Sequence, residues 1–155
     1  KIKTKRMRLT RRGCDVRLIF HDQGIDQHNT IPNKFYKSKD GLVLTFDVLN
    51  KETFRVLDDI LFMVNRHVKE GTPRILVGVR TDTEQPRTVS SDEAKTFANN
   101  RQMPYHEVDY VNQENTLDAA VLDVATACWK RGRFRGGGEG PTEIEDSTCV
   151  ECCML

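Results

Sequence analysis

Apolar and polar positions change rhythm several times along the chain, and each rhythm predicts an element. Residues 5–22 alternate around Met7, Leu9, Val16, Leu18 and Phe20, with Gly13 between the two halves. A period of two broken by glycine predicts a β-hairpin. "GLVLTFDV", residues 41–48, is instead a nearly continuous apolar run, the pattern of a strand covered on both faces. Phe54, Leu57, Leu61, Val64 and Val68 then recur at helical spacing between Asn50, which can cap a helix, and Gly71, which can stop one. "RILVGV", residues 74–79, predicts a second buried strand. Ser90 and Glu93 form a capping box that opens a helix over 91–100; hydroxyl and carboxylate would each satisfy an orphan amide. "PYHEVD", residues 104–109, predicts a short third strand, and residues 116–130 a last helix with Leu117, Val121, Ala125 and Cys128 on one stripe.

Strands alternating with helices predict an α/β fold, a mostly parallel sheet with flanking helices. The expected domain is 1–131. Beyond Arg131 the sequence "GRFRGGGEGPTEIEDST" has few apolar residues, so 132–155 is expected to be a flexible tail.

Composition narrows the possible partners. The 155 residues carry 24 Lys+Arg against 23 Asp+Glu, a balance that argues against non-specific attraction to nucleic acid. The basic start, residues 1–12, reads as a solvated strand face. No apolar run approaches a membrane span, and no signal peptide is visible, so a cytosolic, reduced setting is expected. Five cysteines make no even disulfide framework. Cys149 and Cys152 have CxxC spacing but no second ligand pair for zinc, and His21, His28, His67 and His106 have no metal-ligand spacing.

In open α/β sheets, ligands sit at the carboxyl ends of the strands. Three such ends carry polar clusters: "HDQG", residues 21–24; "VRTD", residues 79–82; and "EVDYVN", residues 107–112. "DQGID", "FYKSKDGLVLTFDVLNKETF", "ILVGVRTDT", "VSSDEAKTFA" and "YHEVDYVNQEN" follow one another in the chain. In order and spacing they resemble the segments of a small GTPase of the Ras superfamily, closest to its Rab branch, over Lys1 to about Arg131. The resemblance implies a P-loop NTPase-like (small GTPase) fold, GTP/GDP and Mg²⁺ as cofactors, GTP hydrolysis as the family activity and a switch role in vesicle trafficking. It also implies effector and regulator proteins of the Rab type as partners.

Carried over residue by residue, Asp82 matches the Asp that accepts from the guanine ring, and Arg80 is a long basic stem where the family has Lys. Val79 stands at the Asn position, a loss of ~0.5 to 1.5 kcal/mol per missing hydrogen bond. Asp109, Tyr110 and Val111 replace the loop that supports the base. Asp22 matches the Asp that holds Mg²⁺ through water, and Gly24 the Gly that senses the γ-phosphate, one residue closer than usual. Ile25 falls at the Gln that orients the attacking water, so slow hydrolysis is expected and no catalytic residue is assigned. Ile2, His21 and Phe35 or Tyr36 match the aromatic positions that Rab proteins present to partners.

No GxxxxGK[ST] phosphate loop occurs among the 155 residues. The chain opens on Lys1, where the family's second strand begins. A strand, loop and helix of about 30 residues are therefore expected to be missing from it. Weak GTP binding, and a sheet short of its central strand, would follow. The ending "CVECCML" fits C-a-a-X with Cys152 as acceptor and Leu155 as X, which points to geranylgeranylation, with Cys153 or Cys149 as a second lipid site. The expected location is the cytoplasmic face of an intracellular membrane, with a cytosolic pool. Two alternatives to the switch stand beside it: a non-enzymatic relative acting as a lipid-anchored interaction module, and a degenerate copy with no independent role.

Overall fold

The computed structural model describes residues 2–9, 14–22, 33–82, 84–111, 116–131 and 148–154. The alternating start forms the expected hairpin: β1 (Ile2–Leu9) pairs antiparallel with β2 (Cys14–Asp22), Ile2 opposite His21 and Leu9 opposite Cys14. A short α1 (Asn33–Lys37) leads into β3 (Gly41–Asp47). Helices α2 (Lys51–Arg55) and α3 (Leu57–Asn65) follow, then β4 (Arg74–Arg80), α4 (Ser91–Asn100), β5 (Tyr105–Asp109), α5 (Thr116–Lys130) and β6 (Thr148–Met154).

The sheet has six strands in the order β1-β2-β6-β3-β4-β5. Apart from the β1–β2 hairpin every neighbouring pair is parallel, so the fold is α/β as the alternating pattern predicts.

Helices cover both faces of β3 and β4, which explains their unbroken apolar sequences. Side chains alternate across a strand. Leu42, Leu44 and Phe46 therefore join one core with Leu57, Ile60, Leu61 and Val64 of α3 and Ala94 and Ala98 of α4. Val43 joins Ile75, Val77 and Val108 in a second core closed by Ala120, Val121, Val124, Ala125 and Cys128 of α5. Cys128 is buried, as its stripe predicts, and its thiol donates to the Asp40 carbonyl at 3.2 Å.

Local caps set the helix starts. Asn50 accepts from the Glu52 amide at 3.1 Å, and Ser90 from the Glu93 amide at 3.1 Å. The reciprocal arm of the expected capping box is not made in this form, because the Glu93 carboxylate reaches Lys51 Nζ at 2.8 Å instead. The helix expected from Asn50 to Gly71 is broken at Val56 and ends at Asn65. Gly71 serves a later turn at φ 67°.

Two expectations about the ends of the domain need correction. The sheet is not short of a central strand, because β6 lies between β2 and β3. Of the expected flexible tail, 132–155, the structure describes Thr148–Met154, and those residues are paired strand, not free chain. Among the described residues, no helix is long and apolar enough to cross a membrane.

Candidate functional site

Because β2, β6, β3, β4 and β5 run parallel, their carboxyl ends share one edge of the sheet. That edge collects Asp47, Arg80 and Asp109 from strand ends, with Asp82 just beyond β4. Asp22, the last residue of β2, is level through Met154 with Val43 and so stands four residues short of Asp47.

Asp47 is committed to local structure. Its Oδ1 accepts from the Leu49 amide at 2.9 Å, while its own amide donates to Thr53 Oγ1 at 2.9 Å. The turn this builds places Val48 so that its amide donates to the Val79 carbonyl (3.0 Å) and its carbonyl accepts from the Thr88 and Val89 amides (3.0 and 3.1 Å). Both ends of the β4–α4 loop are thereby tied to β3.

The loop itself is held from within. Arg80 Nε donates to the Asp82 carbonyl at 3.1 Å, and Asp82 Oδ1 accepts from the Glu84 amide at 2.8 Å. From the next strand the Tyr110 amide donates to the Arg80 carbonyl at 3.0 Å, and Asp109 Oδ1 accepts from the Val111 amide at 2.9 Å. Arg80, Asp82 and Asp109 are thus brought to one rim, each half-exposed. Val79 points away from that chemistry: it packs on the second core, against the face covered by α5. Tyr110 and Val111 are exposed at 60% and 51%, an apolar lip where polar support for a base was the family expectation.

A polar cluster beneath this rim escaped the sequence reading. Arg87 pairs with Glu107 and donates to Ser91 Oγ at 2.6 Å; Tyr105 donates to Glu107 Oε2 at 2.7 Å. Burial, then the hydrogen bond to Glu107 and its negative charge, push the Tyr105 phenol well above its ordinary range, against a smaller opposing effect of Arg87. These residues are 16 to 20 positions apart where they bridge loop to strand. Only the polar letters of "YHEVD" hint at it.

Residues 1–129 match the family model described as the Ras family. The chain belongs to the Ras family. It is similar to Ras-related proteins RABD2b and RABD2c of Arabidopsis thaliana, at 26% identity over 127 residues, 82% of this chain and 63% of each relative. It is also similar to GTP-binding protein YPT1 of Saccharomyces cerevisiae, at 30% identity over 108 residues, 69% of this chain and 52% of the relative. The chain therefore spans between half and two thirds of the length of these relatives. Within the Ras family it is a Rab-like member.

The other expected site residues divide into three groups. Asp22 ends β2, opposite Met154 of β6 in the register. Gly24 and Ile25 lie outside the described residues. Cys152 and Cys153 lie inside β6, between β2 and β3. No group of three or more His, Cys, Asp or Glu suited to a metal occurs among the described residues.

The positions matched to the Rab aromatic cluster lie together. Ile2 is the register partner of His21, and the His21 and Phe35 rings meet edge to face at 5.4 Å. Lys39 Nζ sits over the Phe35 ring at 4.3 Å. Tyr36, the other candidate, is only 1% exposed and belongs to the core, so Phe35 is the one that can face a partner. Two cavities, of about 620 and 480 Å³, lie at the opposite edge of the sheet around Arg74 and Arg101. They are remote from the carboxyl rim and take no part in the site.

Proposed function

We propose that this chain works as a Rab-type switch domain in intracellular vesicle traffic, with a guanine-selective but weak nucleotide site and slow hydrolysis. The observation that carries the reading is the β4–α4 loop, where Asp82 and Arg80 stand at the carboxyl edge of a parallel sheet, held by the β5 end and by the Val48 turn. Such edges are where α/β folds bind ligands. The printed names of the relatives, Ras-related and GTP-binding, support the same assignment.

Asp82 would accept from guanine, Arg80 would pack its stem beneath the base, and Asp22 would hold Mg²⁺ through water, with Gly24 sensing the γ-phosphate. Charge-assisted phosphate contacts contribute more than base contacts. Without a phosphate loop among its residues, the chain alone should bind GTP and GDP far more weakly than a full family member. Titration with a fluorescent guanine nucleotide tests this, and tight Mg²⁺-dependent binding by the chain would overturn it. Ile25→Gln should raise turnover of bound GTP. No increase would overturn the role given to position 25.

Lipid attachment at Cys152 and Cys153 would hold the protein on the cytoplasmic face of an intracellular membrane. Effectors and regulators of the Rab type would meet it at the Ile2, His21 and Phe35 face. Changing both cysteines to Ser should move the protein to the cytosol, and retention on membranes would overturn the anchor.

A second reading, a non-enzymatic lipid-anchored interaction module, is favoured by one specific observation. Val79 is part of the second core and not of the rim. Absence of any guanine preference in the titration would select it over the switch.

A further inference from the structure

The gap between β2 and β3 is a strand-binding site, and its ligand in this structure is the cysteine-bearing end of the same chain. Seven successive residues of β6 pair with β2, from Val16 opposite Thr148 to Asp22 opposite Met154. Three pair with β3 on the other side: Gly41 opposite Cys152, Leu42 opposite Cys153 and Val43 opposite Met154. Thr148–Glu151 is thus paired on one edge, and Cys152–Met154 on both.

The doubly paired stretch contains the two cysteines that the proposed function uses as lipid acceptors. A strand paired on both edges has its backbone donors and acceptors engaged in the sheet. A prenyltransferase must hold the same residues in its own groove and bring a prenyl diphosphate to the thiol. There the thiolate sulfur forms a thioether bond to the prenyl carbon, the carbon–oxygen bond to diphosphate breaks, inorganic diphosphate leaves, and the thiol proton passes to solvent. Residues Cys152 and Cys153 cannot be in the sheet and in that groove at once.

We infer that insertion of Thr148–Met154 between β2 and β3 and lipid attachment at Cys152 or Cys153 are mutually exclusive fates of one segment, so that the sheet itself gates the modification. The sequence suits a strand, since it has β-branched Thr148 and Val150 and neither Gly nor Pro. Its departure would open two strand edges in the middle of the sheet, which strongly favours the inserted state. The gating rests on the lipid-acceptor reading; the strand site does not.

The test uses the full chain and Val150→Pro. Val150 pairs only with Leu18 of β2 and lies outside the last four residues, so proline, which is disfavoured inside a strand, weakens the β6 pairing and leaves the acceptor motif intact. Hydrogen exchange should show the doubly paired residues 152–154 protected in the wild type and unprotected in the variant, with β4 and α4 unchanged. A protein geranylgeranyltransferase with geranylgeranyl diphosphate should then modify the variant faster, by about tenfold if the wild-type segment is out of the sheet a tenth of the time. Free peptides spanning 147–155, with Val or Pro at position 150, should react at equal rates. Unprotected wild-type amides would overturn the strand site. Equal rates for the two chains, once exchange shows the variant released, would overturn the gate. If neither peptide is modified, the lipid reading alone fails; maleimide labelling of Cys152, read by mass spectrometry, then tests the gate, and equal labelling of both chains would overturn it.

Discussion

Phe46 and Tyr105 stack across Gly78, with ring centroids 6.3 Å apart and planes 20° from parallel. Gly78 is the register partner of Phe46 in the middle of β4, and a Cβ there would meet Tyr105 Oη at 2.8 Å, Phe46 Cζ at 3.0 Å and Val48 Cγ1 at 3.1 Å. Glycine is the residue that lets two rings close over the strand immediately before the candidate loop. Gly78→Ala should therefore overpack the core and destabilise the domain by about 1–3 kcal/mol. Chemical denaturation should show a lower midpoint with an unchanged slope.

The same tyrosine makes stability sensitive to alkali. Its folded-state pKa is raised above the ordinary 10.0 by burial and by the hydrogen bond and charge of Glu107. The folded state therefore keeps a proton that the unfolded chain loses, and unfolding becomes easier as pH rises above about 10. The contribution is complete below the unfolded pKa and is lost progressively above it. Tyr105→Phe should cost about 1 kcal/mol at neutral pH through the lost hydrogen bond to Glu107. Between pH 10 and 11.5 its stability should fall less steeply than the wild type's. Equal slopes in denaturation series across that window would refute the role given to the phenol.

These two residues also show where sequence reading stops. The β3, β4 and β5 strands and the α4 and α5 helices were legible because their signals are local: apolar runs, a 3.6-residue stripe, a Ser90 cap. The place of the "VRTD" loop was legible too, because it follows a buried apolar strand. What could not be read depends on partners far along the chain. Glu107 finds Arg87 and Ser91 only once β5 lies beside β4. β6 looked like part of a loose tail because residues 132–147 are Gly-rich and acidic; its strand character depends on β2 and β3, more than a hundred residues away. Val56 gave no warning of a break, since it continues an apolar helix.

Val79→Asn sets core against ligand. Asparagine would restore the amide expected at the guanine loop, but Val79 packs on the α5 side of the sheet with Val43, Ile75 and Val77 nearby in that core. Placing an amide there without partners costs roughly 1–3 kcal/mol. The variant should be less stable by thermal melting, and because position 79 faces the α5 core and not the rim, its affinity for a fluorescent guanine nucleotide should stay unchanged. A gain in stability would mean that position 79 is not a core site, and tighter binding would mean that its side chain reaches the base.

Asp82→Asn separates recognition from folding. In the structure Asp82 Oδ1 accepts from the Glu84 amide at 2.8 Å, a role an asparagine oxygen can also fill, so the loop and the melting temperature should change little. Recognition is different. A carboxylate offers two acceptor oxygens to the neighbouring N–H donors of guanine, whereas asparagine offers one acceptor and opposes the other donor with its own NH₂. Losing a charge-assisted contact of ~1.5–3 kcal/mol predicts about a tenfold or greater loss of guanine-nucleotide affinity. Adenine nucleotides, which present no such donor pair, should bind the variant and the wild type equally. Competition titration of GDP against ADP reads both numbers at once. A parallel fall for the two nucleotides would locate the defect in loop structure, and no fall for either would remove Asp82 from the site.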